Sequence, residues 1–392
     1  MPTEDFETSM PGHRESGKSS GSSGLYAGVN GLASGAAPRR AGDQDSGRAA
    51  SACSDVTNEW VGIIANRGSG TGGSQNLVRR LAQELARFGL HTDIAWTPDD
   101  RRALVKRAGS DAGCRCLVAA GGDGTVSALV NEQPSVPVTV LPAGTENLAA
   151  QHFGLRRNPN WLARTIAAGE VHRADVGRLG DRRFLLMAGF GFDGDVVTRH
   201  HRSRTTRSGR VKPTHRAAYV EPILRSSLFY RFPPISVAIE DHGREEILRG
   251  TTVFVFNLPR YALGLPFAPE ARQDDGLLDL VVFRDPGPFQ ALYYLWRVFC
   301  GTHLDHPGVT HRRIRRVVLA SDTAVPVQLD GDPAGFLTPS STLARGLAES
   351  AHETNLEAGW TIEVIPGAID VLAPQRLVPS APIPLARSRV SG

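Results

Sequence analysis

The sequence predicts an α/β domain with a parallel sheet, followed by an antiparallel β-rich domain. In the first half, short apolar runs alternate with helix-like stretches, which is typical of parallel strands joined by crossover helices. After about residue 172, short β-rich segments are separated only by turns, as in antiparallel sheets. The chain has 392 residues, of which 41% are hydrophobic and 21% charged, and it can therefore bury a core for both domains.

The elements of the first domain follow in chain order. Residues 60–66 (WVGIIAN) are predicted to form a buried strand, followed by a glycine loop and a helix. That helix places four apolar side chains on one face: Leu77, Leu81, Leu85 and Phe88. HTDIAWT is the second strand, after which Thr97 and Pro98 begin another helix. CLVAA and PVTVLP are the third and fourth strands, and a helix to about Phe153 follows the latter.

The domain boundaries follow from changes in composition. The α/β domain is predicted over 58–172, with its motifs extending to about residue 183, and the β-rich domain over 173–373. Its last segment, TIEVIPGAIDVLAP, adds one or two strands that could return to the first domain. Residues 1–57 are rich in Gly, Ser and Ala, and 374–392 in Pro, Ala and Arg. We expect a disordered N-terminal tail and a loose C-terminal tail, because such segments cannot offset their ordering entropy.

Charge and hydropathy favour a cytoplasmic protein. The 44 basic and 40 acidic residues give a formal charge of +4, too small a bias to indicate nucleic-acid binding. No stretch approaches the roughly 18 apolar residues of a membrane span. Glu4, Asp5 and Glu7 stand where a signal peptide would carry positive charge. The four cysteines form no CxxC pair, and we expect buried, reduced thiols.

Three loops that follow predicted strands are unusually rich in glycine: Gly68–Gly73, Gly121–Thr125 and Gly144–Asn147. In parallel α/β sheets, ligands bind beyond the carboxyl ends of the strands, where such loops lead into helices. Glycine lets bare N–H groups approach an oxyanion, and a helix N-terminus favours phosphate. The loops together predict a polyphosphate site, for which a nucleotide is the natural ligand. For Asp123, inside GGDGT, capping of a helix is the alternative role.

The first loop, Gly68–Gly73, matches neither of two common phosphate-binding motifs in full. The Walker pattern fails, because Ser74 stands where lysine is required. Gly68, Gly70 and Gly73 match GxGxxG, but Trp96 and its neighbours replace the acid expected at the end of the second strand. Dinucleotide binding of the Rossmann kind is therefore disfavoured.

Six segments resemble a known family. They are IIANRGSGTGG, GGDGTVSALVNE, LPAGTENLAAQHFGL, AGFGFDGDVV, APEARQDDGLLDLVVF and VQLDGDP. Their order and spacing over about residues 58–373 resemble the diacylglycerol kinase catalytic domain of bacterial soluble lipid kinases and sphingosine kinases. GGDG alone is shared with NAD kinases and phosphofructokinases. The resemblance implies an NAD kinase-like nucleotide-binding α/β domain, a β-sandwich domain, ATP and Mg²⁺ as cofactors, and a lipid hydroxyl as acceptor.

The resemblance also implies roles for individual residues. Asn66 and Ser69 would contact the nucleotide. The phosphates would be held by Gly121, Gly122, Asp123, Gly124, Thr125, Gly144, Thr145 and Asn147. Asp123 would lie near the catalytic magnesium, and Asp275, in DDGLLD, matches a position associated with a second, structural magnesium. Asp332 falls where the family has a glutamate that acts as general base.

Three positions depart from the family pattern. Arg67 replaces the usual proline after the asparagine, which adds a cation that can attract phosphate. Leu148 stands where many members have aspartate, so that acid is missing from the metal and water network. Asp332 is one methylene shorter than the family's glutamate, and a shift of about 1 Å matters in catalysis.

Residues 199–216 form a basic segment with six arginines, one lysine, three histidines and no acid. It is either a solvated loop or a contact for anionic headgroups, through which the protein would dock peripherally at the inner membrane face. Alternatives to a lipid kinase are a kinase of a soluble hydroxyl compound such as NAD and a nucleotide- or lipid-binding protein with little catalysis. The sequence leaves a homodimer open, and it does not name the lipid.

Overall fold

The computed structural model describes residues 59–65, 73–205, 216–241, 244–338 and 360–374. The predicted tails, apart from Pro374, lie outside these ranges. The strands are β1 Trp60–Ala65, β2 His91–Ala95, β3 Cys114–Gly121, β4 Val138–Pro142, β5 Val171–Leu179, β6 Arg182–Phe184, β7 Met187–Gly191, β8 Ile235–Asp241, β9 Arg244–Gly250, β10 Thr252–Phe256, β11 Leu278–Phe283, β12 Val309–Ile314, β13 Arg316–Ala320, β14 Val325–Leu329, β15 Asp332–Leu337 and β16 Trp360–Leu372. The helices are α1 Gly73–Ala86, α2 Pro98–Ser110, α3 Asp123–Asn131, α4 Leu148–His152, α5 Pro159–Ala168, α6 Phe192–Arg204, α7 Val220–Phe229 and α8 Pro288–Phe299.

The first four strands form a parallel layer in the order β2-β1-β3-β4. Every residue of β1 and β4 is buried, because helices cover both faces of a parallel sheet. Thr97 caps α2 in a reciprocal capping box with Asp100, and Pro98 occupies the first turn. Phe88, predicted on the buried face of the first helix, is instead 46% exposed, because α1 ends at Ala86.

The end of the chain extends this sheet. β16 runs parallel to β4, with Val371 opposite Val138, and antiparallel to both β5 and β13. β8 and β9 continue the order beyond β13, while β6 pairs with β5, which gives a sheet of ten strands. Parallel and antiparallel halves of the molecule therefore share one sheet.

A second sheet contains six antiparallel strands in the order β12-β11-β10-β7-β14-β15. Its inner face packs on the antiparallel half of the first sheet, where Val253 and Val255 of β10 join Val237 of β8 in one core. The alternate residues Phe254 and Phe256 point to the outer face, which α8 covers. This sandwich beside a parallel α/β layer confirms the predicted fold class.

The described cysteines carry free thiols: Cys114 and Cys116 are buried, and Cys300 is half-buried. Burial raises the pKa of Cys114 to about 11 and that of Cys116 further still, which keeps both protonated. Among the described helices, none is long and apolar enough to cross a membrane.

Candidate active site

A cavity of about 1320 Å³ joins the α/β layer to the outer face of the antiparallel sheet. At one end its wall consists of the turns Gly122–Thr125 and Ala143–Glu146 and of the tip of the β14–β15 hairpin. At the other end it is lined by β10, β11, α7, α8 and the segment that links β10 to β11. Because ligand pockets commonly measure roughly 300–1,000 Å³, this one is large enough for a long ligand.

The two glycine turns at the polar end touch each other. A Cβ atom on Gly144 would lie 2.4 Å from the Cα atom of Gly122, and one on Gly121 would collide with the side chain of Thr125. Only glycine permits this approach, so the turns that follow β3 and β4 form one continuous rim of main chain. The carboxyl ends of these strands thus converge as the sequence predicted.

Asp123 connects the two turns. Its Oδ1 accepts a hydrogen bond of 3.0 Å from the N–H of Ala149, and the N–H groups of Asn147 and Leu148 also donate to the carboxylate. Burial raises the pKa of Asp123, although these three bonds lower it. Asp123 therefore caps the neighbouring helix α4 rather than its own helix α3, and it also faces the cavity.

Asn147 shapes the second turn from within. Its φ of 55° is left-handed, its Oδ1 accepts from the N–H of Gly144 at 2.8 Å, and its Nδ2 donates to the Gly144 carbonyl at 2.9 Å. Both ends of the amide are thus used inside the turn, and the cavity wall is made by Thr145 and Leu148 instead. Leu148, which stands where the resemblance implies an aspartate in many members, is buried and presents an apolar side chain to the cavity.

Asp332 faces the GGDGT turn from the opposite wall. Its Oδ2 lies 3.6 Å from the point where Gly124 would carry a Cβ atom. Partial removal from water raises its pKa above the ordinary value near 3.8, against the lowering influence of His201, Arg182 and Arg204. A carboxylate that faces this turn can accept a proton from a bound hydroxyl group.

The position of Asp332 depends on Asp330. Asp330 and Gly331 have φ values of 52° and 85°, which make the tight turn between β14 and β15. The buried carboxylate of Asp330 accepts hydrogen bonds from the N–H groups of Leu185, Leu186 and Met187 at 2.9, 2.8 and 3.1 Å. Burial raises the pKa of Asp330 to about 6 despite these donors. Asp330 fixes the hairpin tip, a role that the sequence reasoning missed.

Asp193 is a further cavity acid that the sequence reasoning missed. Its Oδ2 accepts a hydrogen bond of 2.7 Å from Nε2 of Gln328, and the Tyr261 hydroxyl donates to the same carboxyl. Burial raises the pKa of Asp193 to about 7. A Cβ atom on Gly189 would lie 2.5 Å from Oδ2 of Asp193, so that glycine makes room for the acid. The available signal was an acid among glycines in AGFGFDG, the same pattern that identified Asp123.

Asp275 lies away from the cavity lining. Its carboxylate accepts from the N–H of Leu277 at 3.0 Å and pairs with Arg313. The nearby buried Asp175 binds the N–H groups of Gly276 and Gly367, each at 2.7 Å. A second magnesium at Asp275 remains a prediction. The Arg313 guanidinium, which pairs with the Asp275 carboxylate, would compete with such an ion. Across the described part of the chain, no three acidic, histidine or cysteine side chains cluster as a preformed metal site.

A magnesium ion that binds together with a nucleotide needs fewer ligands from the protein. Mg²⁺ is usually bound through one or two carboxylates, with phosphates and water as the other ligands. Asp123 supplies a hard oxygen donor at the rim of the two glycine turns. The residues at this end therefore fit a phosphate-bound magnesium.

Some predicted site residues lie outside the described ranges. Asn66, Ser69 and the departure Arg67 belong to this group, as do all but Gly73 of the first glycine loop and residues 206–215 of the basic segment. The structure does bring Gly122–Thr125, Gly144, Thr145 and Asp332 together around the polar end of one cavity. Of the other predicted contacts, Gly121 ends β3 and Asn147 holds the turn from within, and neither is part of the cavity lining.

The far end of the cavity is apolar. Phe254 lies between Phe267 and Phe283, with ring centroids 5.2 and 5.8 Å away, and Leu265 and Val298 close the chamber. These residues come from β10, β11, the connecting segment and α8. Their side chains look like an ordinary core in the sequence, which is why the sequence reasoning could not assign them.

Models of known protein families match both halves of the chain. The model of the diacylglycerol kinase catalytic domain matches residues 61–179, and that of the YegS C-terminal NAD kinase beta sandwich-like domain matches 188–373. A diacylglycerol kinase of Mycobacterium tuberculosis is 30% identical over 245 residues, which are 59% of this chain and 75% of the relative. One from Staphylococcus carnosus is 26% identical over 288 residues, or 70% and 90% of the two chains.

Solved structures agree on the fold. The crystal structure of a diacylglycerol kinase from Bacillus anthracis superposes with a TM-score of 0.55 at 17% identity, covering 82% of this chain and 98% of the other. At this identity the likeness concerns architecture alone. It supports the same combination of a parallel α/β layer and an antiparallel sandwich.

Proposed function

Since the chain belongs to the family of diacylglycerol kinases and YegS-like lipid kinases, we propose that it is an ATP-dependent lipid kinase. It would transfer the γ-phosphoryl group to a hydroxyl of a diacylglycerol-like or long-chain-base lipid. The observation that carries this proposal is the single cavity in which glycine turns and carboxylates meet a long apolar chamber. A nucleotide and a lipid need these two environments side by side.

The donor end of the proposed reaction lies at the glycine turns. The main chain of Gly122–Gly124 and of Thr145 lines the cavity and would hold phosphate oxygens, whereas the N–H group of Gly144 already donates to Asn147. Asp123 is the carboxylate available to magnesium. When bound, Mg²⁺ neutralises charge that develops on the transferred group. The protein's own task is to align the phosphates, and the close contact between Gly122 and Gly144 brings the two turns side by side for this purpose.

The acceptor end is formed by the hairpin tip. Asp332, across from Gly124, would orient the lipid hydroxyl and accept its proton as the oxygen attacks phosphorus. Asp330 holds Asp332 in place through three main-chain hydrogen bonds. The acyl chain would lie between Phe254, Phe283 and α8, where burial of its methylenes contributes binding free energy.

The protein would act in the cytoplasm, peripherally at the inner membrane face where its lipid lies. Leu148 at the position of the family's acid favours a second candidate, a nucleotide- and lipid-binding protein with little catalysis. A kinase of NAD is less well supported, because a soluble dinucleotide does not need a chamber lined by Phe254, Phe267 and Phe283.

The test is an assay with γ-labelled ATP and a total lipid extract, followed by identification of the labelled product. Asp123→Asn should remove the label, whereas Asp322→Asn, which changes an exposed acid outside the cavity lining, should not. Unfolding of each variant must be measured in parallel, because Asp123 also caps α4. Label on NAD in the absence of lipid would support the soluble-substrate alternative. ATP binding without any labelled product would support the binding protein.

A further inference from the structure

Helix α8 exposes an apolar stripe to solvent. Phe289 is 87% exposed, Trp296 59% and Phe299 58%, and Leu292 and Tyr293 are exposed beside them. These positions are three or four residues apart, so they share one side of the helix. The opposite side carries Tyr294 and Val298, which are buried. A helix that is apolar on both sides is normally covered on both sides.

Helix α7 repeats the arrangement and packs against α8. Leu228 and Phe229 are 70% and 69% exposed, and Leu224 and Val220 continue the stripe at intervals of four residues. Its inner side carries Ser226 and Ser227, which are buried. We call the combined surface the α7–α8 face, and it consists of Val220, Leu224, Leu228, Phe229, Phe289, Leu292, Tyr293, Trp296 and Phe299.

The α7–α8 face is continuous with the apolar chamber. Leu292, Trp296 and Phe299 are exposed on the face and also line the cavity. Leu263, which is 44% exposed, does the same from the segment between β10 and β11. The apolar end of the cavity therefore reaches the surface among the side chains of this face.

Positive charge accompanies the face. On α6 and α7, Asp195 and Glu221 are paired with the arginines one turn later, Arg199 and Arg225. Arg297 of α8 instead donates to neutral oxygens, the Tyr293 hydroxyl and the Thr302 carbonyl, so its charge is not cancelled by them. Helix α6, which packs against α7, carries the exposed Arg202 in its last turn, whereas His200 is buried and His201 and Arg204 line the cavity.

We propose that the α7–α8 face docks on an anionic lipid bilayer, with its apolar side chains among the acyl chains and the arginines at the headgroups. Amphipathic helices with Trp, Phe and Leu on one side and basic neighbours bind bilayers in this way. Trp and Tyr favour the boundary between the acyl and headgroup layers. Lipid would then enter the apolar chamber beside Leu292 and Trp296. The docking is inferred from this exposed surface alone. Only the phosphorylation of the lipid that enters the chamber rests on the proposed function.

A bilayer fits this face better than a second copy of the chain. The chamber opens through the face, and a partner subunit seated there would cover the opening around Leu263 and Phe299. The docking differs from the one suggested by the sequence, in which residues 199–216 make the contact by charge alone. Here Arg202 of α6 and Arg297 of α8 accompany an apolar contact.

The test uses a triple variant, Leu228→Ser, Phe229→Ser and Phe289→Ser, whose side chains are exposed and lie outside the cavity lining. Its control is Phe88→Ser with Ile247→Ser, because these residues are 46% and 47% exposed on other elements. Binding to vesicles of phosphatidylglycerol and phosphatidylethanolamine is measured by co-sedimentation without ATP. The triple variant should partition on the order of 100-fold less than wild type, about tenfold or less for each apolar side chain withdrawn. The control should bind as wild type does.

Two further measurements separate the possible failures. Phosphoryl transfer to a short-chain lipid without vesicles should be equal in the triple variant and wild type, which shows that the fold and the site are intact. If neither protein phosphorylates any lipid but the triple variant still loses vesicle binding, the docking holds and the proposed function fails. Unchanged vesicle binding by the triple variant overturns the docking. A wild-type dimer in sedimentation velocity that the triple variant converts to monomer also overturns it, because the face would then join two copies.

Discussion

At the scale of single residues, the site depends on acids that serve structure and chemistry together. Asp123 caps α4 and faces the phosphate turns, while Asp330 binds three N–H groups so that Asp332 can face Gly124. Loss of activity after substitution of such residues does not by itself establish a chemical role. Each prediction at this scale therefore needs a measurement that a merely structural role would leave unchanged.

Asp332→Asn should lower kcat by roughly 100-fold or more, because it removes the proton acceptor and retains the shape. The KM for ATP should change little. Since the pKa of Asp332 is raised above 3.8, wild-type kcat/KM should rise with pH through that pKa, and the rise should be absent in Asp332→Asn. Asp332→Glu, which restores the glutamate implied by the resemblance, should keep most of the activity and the pH profile. A pH profile that is identical in wild type and Asp332→Asn would exclude Asp332 as the base.

Asp193 predicts an unusual dependence of stability on pH. Its pKa is near 7 in the folded protein and near 3.8 in the unfolded chain, so the folded state binds the additional proton between these values. The free energy of unfolding should therefore fall as pH rises from about 4 to 7. In Asp193→Asn the fall should be smaller by up to a few kcal/mol, because the amide does not ionise. Urea unfolding at pH 5 and pH 8 tests this, and an unchanged difference between the two pH values would contradict it.

At the scale of elements, two turns and a hairpin set the geometry of the site. The turns after β3 and β4 touch through Gly122 and Gly144, and the β14–β15 hairpin approaches them from the other sheet. These three elements come from separate parts of the chain. The distances between these elements set the space available to a substrate, and a single added methyl group can change them.

Gly144→Ala should separate the two turns, since the new Cβ would lie 2.4 Å from the Cα of Gly122. Overpacking of this kind costs about 1–3 kcal/mol of folding stability. The KM for ATP should rise, because the N–H groups of both turns lose their common alignment. Gly124→Ala is the control for stability, since its Cβ would meet only Oδ2 of Asp332 at 3.6 Å. Calorimetry and ATP titration measure both effects, and a wild-type KM in Gly144→Ala would show that the contact is dispensable.

At the scale of the whole molecule, the sequence predicted what local pattern determines and missed what long-range packing determines. The parallel strands were predictable because the sequences of β1 and β4 are predominantly apolar and are followed by helices. The last segment was expected to be able to return to the first domain, as β16 does beside β4. Its pairing with β5 and β13 was not specified, because these strands lie far from it in sequence and no local pattern encodes the register. GGDGT indicated Asp123 because acids are rare among glycines. The α7–α8 face was missed, because an apolar helical stripe reads as core until the tertiary structure leaves it exposed.

The cavity as a whole predicts how substrate length should be selected. Ala291 of α8 lines the cavity and is only half-buried, so Ala291→Phe should shorten the apolar chamber without disturbing the polar end around Asp332. Each methylene of the acyl chain that the shortened chamber excludes costs about 1–3 kcal/mol of transition-state binding. The kcat/KM for a long-chain lipid should therefore fall by tenfold or more. For a short-chain lipid it should stay near the wild-type value. The control is Phe88→Leu, which changes an exposed side chain outside the cavity lining. A chain-length profile that Ala291→Phe leaves unchanged would mean that the acyl chain lies elsewhere, because a ligand in this chamber must compete with the added ring for the same volume.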